Sequence, residues 1–209
     1  MKQPELQLND VCVYHDSRRL CQISTTVSAG SILTITGPSG TGKSSLLAAL
    51  AGLLPPVMRM SGQILLGKRD ISAMPAHERQ LGMLFQDPLL FEHMTVAQNI
   101  AFGMPAEAGR DKASLVRRML KDVGLEGFCD KPVQTLSGGQ QARVALLRTL
   151  ASRPAALLLD EPFSKLDSAT RYKTREWVFD QIRSYQLPAV LVTHDEQDSH
   201  SAGGQIIGI

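Results

Sequence analysis

Residues 31–50 read SILTITGPSGTGKSSLLAAL, and this stretch decides the fold. Ser31 to Thr36 is a β-branched strand that stops at Gly37. Ser44 to Leu50 is a helix, closed by Gly52 and then Pro55-Pro56. Between them, Gly37-Pro38-Ser39-Gly40-Thr41-Gly42-Lys43-Ser44 fits the pattern G-x-x-x-x-G-K-[ST], with a strand before it and a helix after it. Glycines let backbone N–H groups turn inward around an anion, and the helix N-terminus presents roughly half a positive charge to the same point. In that chemistry Lys43 reaches the β- and γ-phosphates of a nucleotide, Ser44 ligates Mg²⁺, and Ser45 completes the binding run. The motif by itself says only that a nucleoside triphosphate is bound.

Outward from this loop, Leu6 to Tyr14 and Cys21 to Val27 alternate as strands, with a polar turn from His15 to Arg19. Gln63 to Leu66 and Leu81 to Phe85 read as further short strands. From Thr95 to about Ala151 the spacing becomes helical, with an amphipathic helix over Ser114 to Val123 and a second from about Gly139 to Ala151. Ala155 to Leu159 and Ala189 to Thr193 are continuous apolar strands, the pattern of a parallel sheet covered on both faces. The expected fold is α/β: a P-loop NTPase core with a mixed sheet, an N-terminal antiparallel β portion and an inserted α-helical lobe. The core takes residues 1–94 and 152–209, and the lobe takes 95–151.

The strand at Ala156-Leu157-Leu158-Leu159 delivers two carboxylates, Asp160 and Glu161, at its C-terminal end. Ligands in open parallel sheets bind at that end of the strands. Asp160 is expected to hold Mg²⁺ through water, and Glu161 to orient or deprotonate an attacking water. Taken alone, an apolar run ending in Asp-Glu is also what a capped strand end looks like. The phosphate loop gives it a partner.

Leu136-Ser137-Gly138-Gly139-Gln140 opens the second lobe helix. Ser137 is a natural N-cap, and the glycines allow close backbone approach to an anion. With this motif the sequence resembles the ABC transporter ATPases, whose signature is LSGGQ, over nearly the whole chain. The resemblance implies that Ser137, Gly138, Gly139 and Gln140 of one protomer cover the γ-phosphate held by another, in a head-to-tail homodimer sharing two ATP sites. It implies further that Tyr14 stacks on adenine, and that Gln86 contacts Mg²⁺ and water and begins the link to a transmembrane subunit. Ser164-Lys165-Leu166-Asp167 takes the place of the interface loop, and His194 that of the switch histidine on the γ-phosphate. Two departures stand out. Lys165 sits where the family usually has a small residue, which bears on interface packing or charge. The chain also stops at Ile209, and Ser201-Ala202-Gly203-Gly204 reads as a loop rather than the family's helix, so a C-terminal regulatory domain is not expected.

Composition narrows the function. Lys+Arg number 22 against 20 Asp+Glu, a net charge of +2, which gives no electrostatic case for a nucleic-acid partner. No apolar run approaches the ~18–20 residues that span a bilayer, and the start, Met1 to Asp10, is too polar for a signal peptide. The 3 cysteines show no metal-binding spacing. With the composition so bounded, the resemblance implies an ATP-hydrolysing subunit at the cytoplasmic face of the inner membrane, peripheral through permease subunits. Asp87 to Ala101 would face that partner through Leu89, Leu90, Phe91 and Met94. The wording FQDPLLFEHMTVAQNI is similar to small-solute importer ATPases, nearest to short thiamine-type uptake subunits, which implies a solute-binding protein working through the permease. Two readings from other classes are a soluble ABC ATPase acting on ribosomes or DNA and a nucleotide-gated regulatory module. The first usually carries tandem cassettes or basic arms, and the second conflicts with an intact Glu161 and His194.

Overall fold

The structure, a computed structural model, describes residues 4–106 and 111–209. Residues 1–3, at the start of the expected core, and 107–110, inside the expected lobe, lie outside the described residues. The chain divides into two compact units: Met1–Met83, Ala155–Glu161 and Phe179–Ile209 form one, Leu84–Pro154 and Pro162–Val178 the other. The expected lobe, 95–151, falls wholly within the second.

In the first unit, strand β1 (Leu6–His15) pairs antiparallel with β2 (Arg18–Val27), from Leu6 opposite Val27 to His15 opposite Arg18. Only Asp16 and Ser17 remain for the turn, so the strands run further than their alternation showed; Asp16 takes the left-handed conformation that Asp tolerates, at φ 52°. The inward residues of β1 change phase, from Leu6 and Leu8 to Val11 and Val13, all buried. A bulge between Leu8 and Val11 causes this, with Asp10 at φ 50°. Facing it on β4 (Met58–Leu66) is Gly62, where an added Cβ would lie 2.2 Å from the Asp10 carbonyl oxygen. That close approach requires glycine. β4 pairs antiparallel with β1, and the two-residue β5 (Arg69–Asp70) with β4, giving the order β2-β1-β4-β5.

The second sheet holds β3 (Ile32–Thr36), β6 (Leu81–Leu84), β7 (Ala156–Asp160), β8 (Ala189–Val192) and β9 (Ile206–Gly208) in the order β6-β7-β8-β3-β9. The pairs β7–β8, β8–β3 and β3–β9 are parallel. Every residue of β7 and β8 is buried, which is why these strands carry no alternation. Helix α1 (Lys43–Ala51) packs Leu46, Leu47 and Leu50, all at 0% exposure, into the core shared with β1 and β3. Each such side chain contributes about 1.5–3 kcal/mol on leaving water. The end of α1 is sealed from a distance. Buried Arg79 donates to the carbonyls of Ala49 (2.9 Å), Leu50 (2.7 Å), Met74 (2.8 Å) and Ser72 (2.9 Å). Its truncation would remove the donor from the Leu50 carbonyl, while the Ala49 carbonyl would keep the Gly52 N–H at 3.1 Å.

In the second unit, α2 (Val96–Gly103), α3 (Lys112–Asp122) and α4 (Gly138–Ala151) enclose a core of Val96, Ile100, Val116, Leu120, Val144 and Leu147. Capping boxes start α2 at Thr95 with Gln98, and α4 at Ser137 with Gln140. Fully buried Asn99 accepts from the Phe91 N–H and donates to the carbonyls of Phe91 and Thr95, fixing the 91–95 loop. Helix α5 (Ser168–Ser184) follows β7.

The end of the chain corrects one expectation. Ser201 and Ala202 belong to a helix, α6 (Glu196–Ala202), not to a loop. The Asp195 side chain accepts from the N–H groups of Gln197 and Asp198, and Gly203 closes the helix at φ 66°. The two caps hold a polar segment that offers no apolar stripe to read.

Candidate nucleotide site

Three parallel strands of the first unit end side by side, and each delivers chemistry at its C-terminal end. β3 leads into the glycine-rich loop, β7 into Asp160-Glu161, and β8 into Thr193-His194.

At the first strand end, Gly42 at φ 98° serves as the N-cap of α1, and its carbonyl accepts the Leu46 N–H at 2.8 Å. The conformation suits glycine and turns the first N–H groups of α1 toward the loop mouth. Pro38, Ser39 and Gly40 are exposed there. Lys43 is 9% exposed and folded back: its Nζ donates to the Gly37 carbonyl at 2.8 Å and the Pro38 carbonyl at 2.6 Å. Thr41 Oγ1 donates to the same Pro38 carbonyl at 3.0 Å. Ser45 is half-buried behind the loop.

Asp160 is 7% exposed, with the Ser44 side chain close enough to favour its charged form. Burial pushes its carboxyl above the usual range and the Glu161 charge adds to this, against the pull of Ser44 and Lys43. A buried carboxylate beside a hydroxyl is therefore short of positive charge. Two hard oxygens so placed fit Mg²⁺, which takes one or two protein oxygens and completes its shell with water and phosphate. Among the described residues no group of three or more His, Cys, Asp or Glu is placed to hold a metal.

Glu161 stands at φ 46°, a left-handed backbone for a side chain other than glycine, and its N–H donates to the Val192 carbonyl at 2.9 Å. Glu161 Oε1 lies 3.0 Å from His194 Nδ1. The sequence did not reveal what holds this histidine. Buried Thr193 donates through Oγ1 to buried Asp198 at 3.2 Å, and receives the Asp195 N–H at 3.1 Å. The first unit thus gathers Lys43, Ser44, Asp160, Glu161 and His194. Tyr14, half-buried at the end of β1, carries the Arg59 guanidinium carbon 4.0 Å from its ring centroid.

The remaining expected residues lie in the second unit. Gln86 is exposed just after β6. Lys165, the departure from the family pattern, forms a 2.7 Å ion pair with Asp87 Oδ1. Ser137 is exposed, with Ser137 N–H donating to Gln140 Oε1 at 2.9 Å. Gly138 is exposed, and a Cβ on Gly139 would lie 3.2 Å from Leu166. Asp167 caps α5, accepting the Thr170 N–H at 3.0 Å, and the Thr170 bonds hold its carboxyl below the ordinary range. Arg143, which motif spacing did not single out, donates to the Val123 carbonyl at 2.6 Å and lies within electrostatic reach of Asp167. No helix among the described residues is long and apolar enough to cross a membrane.

Comparisons with known proteins agree with this geometry. The ABC transporter family profile matches residues 20–164. The chain is 46% identical over 184 residues to the uncharacterized ABC transporter ATP-binding protein YnjD of Escherichia coli (strain K12), covering 88% of this chain and 85% of that protein. It is 39% identical over 206 residues to the putrescine transport ATP-binding protein PotG of the same strain, covering 97% of this chain and 54% of that one. Against the Fe(3+) ions import ATP-binding protein FbpC of Brucella abortus (strain 2308), identity is 40% over 190 residues, covering 90% and 53%. The chain thus spans about half the length of those two relatives. The dimeric bacterial ABC transporter cassette MJ0796 superposes with a TM-score of 0.83 at 27% identity, covering 98% of this chain and 94% of that one. A second dimeric structure of that cassette, in a post-hydrolysis state bound to ADP and Pi, matches equally well. Its phosphate loop, its acidic strand end and this family match together make the chain a member of the ABC transporter family, an ATP-binding cassette of the ATP-hydrolysing kind.

Proposed function

We propose that this chain hydrolyses ATP to power the import of a small solute through separate permease subunits. The observation that carries the hydrolytic part of this reading is the placement of His194 against Glu161, with Ser44 beside Asp160, at neighbouring strand ends. In this reading the run Gly37 to Ser45 cradles the phosphates, and Lys43 leaves the Gly37 and Pro38 carbonyls for the β- and γ-phosphates. Ser44 and Asp160 would hold Mg²⁺, Asp160 through water, with Gln86 joining them on the resemblance alone, and the ion would supply charge neutralisation at the phosphate oxygens. Glu161 takes a proton from the attacking water or orients it, and His194, already on its carboxylate, fixes that orientation. Tyr14 stacks on the base.

Ser137, Gly138, Gly139, Gln140 and Asp167 are assigned to the triphosphate of a second copy in a head-to-tail homodimer. The names of the import and transport relatives support a permease partner, and a solute-binding protein beyond it. The chain would then act at the cytoplasmic face of the inner membrane. Leu89, at 59% exposure, and Phe102, at 63%, are apolar surface on the expected partner-facing stretch or just beside it. The near-balanced charge supports leaving nucleic acid out.

A Glu161→Gln chain tests the shared-site arrangement. With saturating ATP and Mg²⁺, light scattering should give twice the mass found without nucleotide. A mass that stays monomeric under both conditions would remove the dimer from this reading.

A further inference from the structure

We propose that Arg59 is a positioning residue for the base of the bound nucleotide, clamping one face of the Tyr14 ring so that the base stacks on the other. The inference rests on the reading of Tyr14 as the base platform. Tyr14 on β1 stands opposite Arg59 on β4 and opposite Arg19 on β2. The Arg59 guanidinium carbon lies 4.0 Å from the ring centroid, and among the described residues no carboxylate pairs with Arg59. An exposed arginine without a counter-ion has put its planar cation on an aromatic face.

The strand order says which face. β1 lies between β2 and β4. The end of the phosphate loop rests on the β2 side, where a Cβ on Gly42 would lie 3.0 Å from Leu20 Cβ and 3.8 Å from Cys21 Sγ. Arg59 approaches from the β4 side. A nucleotide whose phosphates fill the loop therefore reaches Tyr14 from the side of β2, leaving the ring between a base and a cation. The cation is attracted by the ring quadrupole and holds the ring in one orientation before the base arrives. Such a contact at an exposed site is worth about a two- to fivefold change in affinity. Only ligands that carry a base can use it.

Calorimetry with ADP and with base-free tripolyphosphate separates the possibilities. Arg59→Ala should weaken ADP binding about two- to fivefold, leave tripolyphosphate binding unchanged and leave the melting temperature near the parent's. Arg59→Lys should recover part of the loss, and adding Arg59→Ala to Tyr14→Ala should cost nothing further. Loss of ADP affinity in Tyr14→Ala but not in Arg59→Ala overturns the clamp alone. Tighter ADP binding in Arg59→Ala also overturns it, since Arg59 would then occupy the face the base needs. A Tyr14→Ala chain that binds ADP like the parent overturns the base platform and the clamp with it.

Discussion

A Glu161→Gln chain is expected to release phosphate from ATP about 10²- to 10⁴-fold more slowly than the parent while binding ATP with similar affinity. The amide keeps the volume of the carboxylate and can still hydrogen-bond, so binding and the fold are preserved. It cannot accept the proton of an attacking water. The backbone argues for the same residue: Glu161 sits at φ 46°, a conformation that costs on the order of 1–3 kcal/mol for a side chain other than glycine. The surrounding structure over-determines it through the Val192 carbonyl and the His194 contact at 3.0 Å. A phosphate-release assay on both chains decides the matter. Turnover at the parental rate would remove Glu161 from the base role.

Lys43→Ala is expected to weaken ATP binding by about a hundredfold or more, because charge-assisted hydrogen bonds from one ammonium to phosphate oxygens are lost at ~1.5–3 kcal/mol each. The melting temperature should change little. Among the described residues Lys43 Nζ donates only to the Gly37 and Pro38 carbonyls, and the exposed Pro38 to Gly40 rim lets water replace it. Calorimetry reads the affinity directly, and an unchanged dissociation constant would contradict the phosphate-loop assignment.

What the sequence made legible follows from how local each signal is. The strand, glycine-rich loop and helix over residues 31–50 are contiguous, so their chemistry is written in one place. The buried strands β7 and β8 announce themselves because burial on both faces leaves an unbroken apolar run. Other features depend on residues far apart. Arg79 seals the end of α1 from 30 residues away, and no periodicity marks a lone arginine for that task. Lys165 could be seen to depart from the family pattern, but its partner Asp87 is 78 residues away, so the ion pair was invisible. The same holds for Arg59 against Tyr14. Helix α6 and strand β9 were missed for a different reason. One is polar but for Ala202 and set by its caps, and the other is three residues long, too short to show a period. Legible site chemistry was thus the part borne on motifs, while the groups that orient those motifs emerged only from the fold.

The central claim, an ATPase that drives a membrane partner, is tested most directly by capture. The Glu161→Gln chain, tagged and held with ATP and Mg²⁺ during gentle membrane solubilisation, should co-purify a multi-span membrane protein identifiable by mass spectrometry. Recovery of that protein with nucleotide, and its loss from a Lys43→Ala chain, is the predicted result. Recovery of the chain alone, or with ribosomal or DNA-bound proteins in place of a membrane protein, would contradict the transport role.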